Sequence, residues 1–236
     1  GPYFSFKKKG AQNPAFLKEP DFDGFKKLYD ACDGFVAIAD VAPELPGAAE
    51  FVEKVSKLCT VSVAHTDADY EDAKTAFSKG ATHLTHLFNA MSPLAHRNPG
   101  VVGAALNSDV TVELIVDTFH VNPCFYDLLW KLKGRKLCFI TDCLPAGGLP
   151  YGEYTLGGQP IFVKGIECRL ADGTILLSEA RSFTLKQVVE AVDAQWDKLG
   201  DNQKSTVAAM YQKYTQVMSV WKIPKLKEFT TGQEPA

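Results

Sequence analysis

The chain has 236 residues, of which 46% are hydrophobic and 22% charged, with a mean hydropathy of -0.08; this is a globular composition, and it excludes disorder, collagen and coiled coil. At about 150 residues per domain the length allows one large domain, or one with a smaller appendage. The 25 basic and 28 acidic side chains sum to -3, which argues against a nucleic-acid surface and leaves small neutral or anionic ligands open. Cys32, Cys59, Cys124, Cys138, Cys143 and Cys168 are scattered without a Cys-x-x-Cys pair and read as reduced thiols of a cytoplasmic protein. No apolar run approaches the roughly 20 residues of a bilayer span, and GPYFSFKKKG lacks a signal peptide's apolar centre, so no membrane partner is expected.

In chain order, Lys7, Lys8 and Lys9 read as a solvated basic run. Five apolar, β-branched-rich runs then recur and are predicted as strands: 35–42, 60–65, 82–88, 111–117 and 136–142. Between them lie predicted helices. The first, over 47–58, carries a stripe of Phe51, Val52, Val55 and Leu58; the second, over 69–79, opens on Asp69 with Asp72 three residues on; the third, over 122–133, ends at Gly134. Strands alternating with helices in this way mean right-handed βαβ units and a parallel sheet. Over 151–180 the pattern changes to short alternating runs broken by Gly-Gly, Lys-Gly and Asp-Gly, the punctuation of an antiparallel meander. From 182 onward two amphipathic helices are predicted. Thr184 and Gln187 cap the first, Gly200 ends it, and Pro224 ends the second.

The expected organisation is therefore an α/β portion over 1–150, a small β portion over 151–181, and C-terminal helices with a loose tail over 182–236. Residues 1–150 hold about five βα units and not the eight that close a barrel of about 250 residues, so either the sheet is open or a barrel is truncated.

Three predicted strands finish on groups that bind metals or move protons: His65, His86 and Asp142. Parallel α/β folds assemble active sites at C-terminal strand ends. Two neutral imidazoles there suit a divalent cation such as Zn²⁺, and a carboxylate beside a metal-bound water suits a general base. The other reading of each histidine is a packing or capping residue. His83, an odd separation from His86, is expected on the opposite face, at the surface or towards a helix. Asp67 and Asp69 read as helix-start residues. Glu44, just after the first strand, is a weakly placed substitute ligand. Arg97, beside His96 in SPLAHRNPG, reads equally as an anion-binding or a solvated loop cation, and His120 as a site or a capping residue. No phosphate-loop glycine pattern and no Gly-x-Ser-x-Gly elbow is present.

The segments GPYFSFKKKGAQNPAFL, AHTDADYEDAKTAFSKGATHLTHLFNAM, HRNPGVVGAAL, DTFHV and FITDCLPAGGLPYGEYTLGG, in this order, closely resemble the N-acetylglucosamine-6-phosphate deacetylase family of the amidohydrolase superfamily. That superfamily has a metal-dependent (β/α)8 barrel and a small β domain. The resemblance spans roughly residues 1–180. It implies an incomplete TIM-type barrel comprising the last five strands, with the antiparallel appendage beside it. It also implies His65 and His86 as ligands of a divalent metal, Zn or Fe, and Asp142 as the catalytic acid/base. Asn89, Ala90 and Arg97 would contact the sugar phosphate, His120 a substrate oxygen, often across a homodimer interface, and Gln12 would lie near the acetyl carbonyl. The implied reaction is hydrolysis of N-acetylglucosamine 6-phosphate to glucosamine 6-phosphate and acetate.

The family's third metal ligand is a Glu directly before Gly-Pro-Tyr or Gly-Pro-Phe, and the chain as given starts at that Gly. The expectation is thus a chain lacking its N-terminal part, and the alternative to an active deacetylase is a truncated, catalytically impaired sugar-phosphate-binding or dimerising fragment. Asp117-Thr118-Phe119-His120 replaces the family's Asp-Gly-x-His, Cys143 stands where Ala is usual, and no family pattern is recognisable after Glu179.

Overall fold

The computed structural model describes residues 2–178 apart from 118, 147–148 and 165–166, together with 204. The predicted helices beyond 181 and the Gly147-Gly148 turn lie outside the described residues. Residues 1–180 form one compact unit.

Five parallel strands pair in sequence order: β1 (Ile38–Val41), β2 (Thr60–Val63), β3 (Ala81–Leu84), β4 (Thr111–Ile115) and β5 (Leu137–Ile140). All five coincide with predicted runs and are shorter, β1 mainly at its start and the other four mainly at their ends, where the last residues leave the ladder to build the rim. The connecting helices are α2 (Ala48–Val55) after β1, α3 (Tyr70–Lys79) after β2, α4 (Gly100–Leu106) after β3 and α5 (Cys124–Lys133) after β4, with α1 (Phe22–Ala31) ahead of the sheet. α1 packs on α2, α2 on α3 and α3 on α4, a run of neighbours along the sheet.

The helices form for identifiable reasons. In α2, Ala48, Phe51, Val52 and Val55 share one stripe and are all buried. In α3 the Asp69 carboxylate accepts from the Glu71 and Asp72 amides while Asp72 reaches back to the Asp69 amide, completing the predicted capping box. Two helices escaped the sequence reading. α1 buries only Phe25 and contains Gly24. α4, GVVGAAL, has two glycines and poor intrinsic propensity; burial of Val101, Val102, Ala104 and Ala105 overrides that propensity, and the Ser92 hydroxyl accepts from the Val101 amide in its first turn.

The two faces of the parallel sheet differ. Ala39, Val41, Val61, Val63, Leu84, Val112 and Leu114 are buried, and full burial of each Val or Leu is worth about 1.5–3 kcal/mol. The opposite face is polar and internally satisfied. Thr85 donates to Asp40 at 2.9 Å and lies 2.7 Å from the Ser62 hydroxyl, while His83 sits between Thr111, at 2.5 Å, and Glu113, at 3.1 Å. His83 is only 8% exposed, which corrects its expected surface placement: strand pairing buries it against β4.

A separate antiparallel sheet runs β6 (Gly152–Leu156), β7 (Gln159–Lys164), β8 (Glu167–Leu170) and β9 (Ile175–Ser178) in that order, as the meander pattern predicts. The β6–β7 turn places Gly157 and Gly158 at φ 57° and 75°, the primed hairpin geometry that side-chain-bearing residues resist. Ala146, Ile161, Cys168 and Leu170 form the buried core of this portion. The hairpin tip is tied to the N-terminal segment: Asn13 donates to the Gly157 carbonyl and Gln159 to the Ala11 carbonyl. All six cysteines are unbridged, and among the described residues no helix is long and apolar enough to cross a membrane.

The capping box makes a direct prediction. Asp69→Ala should lower stability by about 1 kcal/mol, seen as a reduced urea midpoint at constant m-value; an unchanged midpoint would remove the box from the account of α3.

Candidate metal centre

The N-terminal segment crosses the ends of β1 and β2. The Ala42 amide donates to the Tyr3 carbonyl and the Ser5 amide to the His65 carbonyl. This brings the Phe4 ring to 4.5 Å from the His65 ring and the Lys8 carbonyl to 2.9 Å from His65 Nδ1. A carbonyl only accepts, so His65 carries its proton on Nδ1 and presents a bare Nε2. That atom lies 3.0 Å from Nε2 of His86, and the two rings meet edge to face. Burial and the nearby His86 depress the His65 pKa to about 4, so the imidazole is neutral near pH 7. Gly10, at φ 55°, leaves room for this ring; a Cβ there would stand 3.2 Å from His65 Cε1.

His86 is buried, and its Nδ1 has no hydrogen-bond partner among the described residues. With His65 Nε2 bare, His86 Nε2 donates to it, and Nδ1 is left buried and unpartnered among the described residues at a cost of about 1–3 kcal/mol. The donor set therefore suits a divalent cation. Ligands about 2.05 Å from Zn²⁺ in a tetrahedral site stand about 3.3 Å apart, close to the observed separation of the two nitrogens. The residues fit as two ligands. Among the described residues no group of three His, Cys, Asp or Glu side chains is disposed to hold an ion.

Backbone geometry marks the same rim. Of the six non-glycine residues with positive φ among the described residues, five lie after strand ends: His65 (45°), His86 (34°), Phe88 (78°), Ala90 (48°) and Asp142 (50°). Such conformations cost about 1–3 kcal/mol each and persist where the surroundings enforce them. The two ligand loops are stitched together, since the Thr66 amide donates to the Ala90 carbonyl and the Ser92 amide to the Thr66 carbonyl.

The remaining sequence-predicted residues are distributed around this pair. Asn89 turns back on β3, its side chain donating to the carbonyls of His86 and Leu87. Arg97 is exposed in the loop before α4. His120 is anchored through Nδ1 to the Asp117 carboxylate at 2.6 Å, and Asp117, only 4% exposed, also accepts from the amides of Phe119 and His120. Asp142 is exposed just past β5. β5 lies two strands along the sheet from β3. Gln12 is exposed and lines a cavity of about 310 Å³ with Phe4, Asn13, Phe16, Leu17 and Leu156. Of the two aspartates after His65, Asp69 is the cap, whereas Asp67 pairs with Lys7 and Lys8 instead.

Three carboxylates escaped the sequence reading as supports. Asp117 was legible as an i,i+3 partner of His120. Glu113 and Glu44 act across strands, where local sequence carries no signal. The substitute-ligand role considered for Glu44 is not what it does here: its oxygens accept from the Thr66 hydroxyl and the Asp67 amide.

No family model matches the sequence. Curated relatives do. An N-acetylglucosamine-6-phosphate deacetylase of Bacillus subtilis is 41% identical over 178 residues, 74% of this chain and 45% of the relative. Those of Haemophilus influenzae and Homo sapiens are 40% and 38% identical, over 82% and 75% of this chain and 51% and 46% of theirs. This chain is a homologue of the N-acetylglucosamine-6-phosphate deacetylases. It spans about half the length of the deacetylases it matches. Solved structures agree: a Mycobacterium smegmatis deacetylase variant in complex with N-acetyl-D-glucosamine-6-phosphate superposes with a TM-score of 0.76 at 36% identity, over 82% of this chain and 51% of that one. The Pasteurella multocida deacetylase gives 0.72 at 33% identity, over 85% and 51%.

The depressed His65 pKa sets a pH dependence. Folding disfavours the protonated ring, so its stability contribution is fully present above about pH 6.5 and is lost as pH falls towards 4. The metal-free chain should lose thermal stability across that window, and His65→Gln should flatten that part of the profile. Identical profiles for the two would contradict the buried, neutral assignment.

Proposed function

We propose that this chain carries part of the catalytic centre of a metal-dependent N-acetylglucosamine-6-phosphate deacetylase, with residues 1–150 as the last five βα units of a TIM-type barrel, 151–181 as part of the small β domain, and the predicted helices of 182–236 as an appendage. The observation that carries the reading is the pair of facing Nε2 atoms of His65 and His86, 3.0 Å apart beyond the C-terminal ends of adjacent parallel strands. Sequential pairing of five strands with neighbouring helices packed in order supports the barrel reading.

In this reading His65 and His86 hold a divalent cation, Zn or Fe, which when bound supplies Lewis-acid polarisation and a water of lowered pKa. The chain's own residues do the rest. The Lys8 carbonyl fixes the His65 tautomer so that Nε2 faces the site. Asp142, on the rim in a left-handed conformation, takes a proton from the attacking water and returns it to the amide nitrogen, without which the amine is a poor leaving group. Arg97 binds the phosphate, with Asn89 and the Ala90 backbone beside it, contributing binding energy remote from the reacting carbon. Asp117 orients His120 towards a substrate oxygen, across a homodimer interface, and Gln12 lies near the acetyl group. Unbridged thiols suit a cytoplasmic setting.

One observation favours the second reading, a catalytically impaired fragment that still binds the sugar phosphate. Two imidazoles without a third donor among the described residues give weak metal affinity. Acetate release from N-acetylglucosamine 6-phosphate, measured on the full chain with Zn²⁺ or Fe²⁺, separates the two. Under the first reading, turnover is detectable and Asp142→Asn lowers it by about 10²–10⁴-fold without changing metal content. Under the second there is no turnover, and titration calorimetry shows substrate binding that Arg97→Ala weakens. Neither turnover nor binding would sink both.

A further inference from the structure

We propose that Glu44 and Glu113 are a matched pair of positioning residues, each clamping the backbone at one of the two facing histidines. This rests on the reading of His65 and His86 as cation ligands. β2, which leads into His65, and β3, which leads into His86, are neighbours in the sheet. Glu44 follows β1, on the outer side of β2, and Glu113 belongs to β4, on the outer side of β3. The two carboxylates therefore bracket the histidines from opposite sides.

Glu44 uses both oxygens on the chain next to His65, and Glu113 places one on the His86 amide and the other at the His83 ring. Glu44 Oε1 accepts from the Asp67 amide at 2.7 Å and Oε2 from the Thr66 hydroxyl at 2.5 Å; that hydroxyl in turn accepts from the Ala68 amide. Glu113 Oε2 accepts from the amide of His86 itself at 3.3 Å, and Oε1 lies 3.1 Å from His83 Nε2. With both oxygens engaged, neither carboxylate is turned to the metal side as a ligand. Their engagement is what a strained rim requires. His65 and His86 stand at φ 45° and 34°, conformations that a free chain leaves, and bonds to a charged acceptor are about twice as strong as neutral ones. Held from both sides, the two Nε2 atoms stand 3.0 Å apart.

The test uses the full chain with Glu44→Gln, Glu113→Gln and, as a control that loosens His83 without touching the Glu113–His86 bond, Thr111→Val. Zn²⁺ affinity is read by competition with a chromogenic chelator, and amide hydrogen exchange is read by NMR on the metal-free protein. Each Gln variant should weaken Zn²⁺ binding about 10–100-fold. Exchange should accelerate at Asp67 in the Glu44 variant and at His86 in the Glu113 variant, with Thr111→Val matching wild type in both readouts. Wild-type zinc affinity, or wild-type exchange at the adjoining amide, in either Gln variant overturns the proposal. If wild type binds no zinc, or binds it no better than His65→Ala and His86→Ala, the metal reading falls; the exchange pattern then judges the clamps alone, site-specific acceleration supporting them and its absence overturning them. Should a Gln variant fail to fold, Glu→Asp at the same position, which withdraws the carboxylate by one methylene, is read the same way.

Discussion

The contact between the two Nε2 atoms of His65 and His86 is the constraint on which the rest of the structure turns. Two imidazole nitrogens 3.0 Å apart share at most one proton in their neutral forms, and the Lys8 carbonyl has already claimed the other proton of His65. This arrangement leaves His86 Nδ1 buried without a partner among the described residues. A fold selected only for stability would relieve that cost by turning one ring away. Its retention at the rim of a parallel sheet, in backbone conformations that are themselves costly, is a local disagreement with the rules of folding of the kind that marks functional sites.

That disagreement is supported by an otherwise ordinary sheet. The apolar face of β1 to β4 is buried by aliphatic side chains and supplies the free energy that rim strain spends. The opposite face carries Asp40, Ser62, Thr85, His83, Thr111 and Glu113, hydrogen-bonded to one another across strands. Such a network orders the polar face of the sheet. Burial alone would push the Glu113 carboxyl up, yet the hydrogen bonds from His83 and the His86 amide outweigh it and hold its pKa below the usual value. Glu113 thus stays an anion beside the ring that faces His65.

The N-terminal segment and the β6–β7 hairpin form a further layer around the same rim. Tyr3, Phe4 and Ser5 lie over the ends of β1 and β2, and the hairpin tip is held to Ala11 and Asn13. Sequence segments more than 140 residues apart are thereby joined beside His65. The deacetylase relatives match 74% and 82% of this chain over about half their own length.

Much of this was legible in the chain itself. Five β-branched runs, the Asp69–Asp72 box, the apolar stripe of α2 and the glycine pairs of the meander are local signals, written within a few residues by sterics and hydrogen bonding, and all reappear as elements. His65 and His86 were legible as well, because a histidine closing an apolar run is visible without a fold, although the strands themselves stop two residues earlier, at Val63 and Leu84. Three things were decided only by tertiary structure. α4 is helical because it is buried, not because its glycine-rich sequence favours it. His83 is buried because β4 offers Thr111 and Glu113 opposite it. The support of the two imidazoles by Glu44 and Glu113 depends on which strand lies beside which, and pairing across a sheet is a property of topology that no short window of sequence contains.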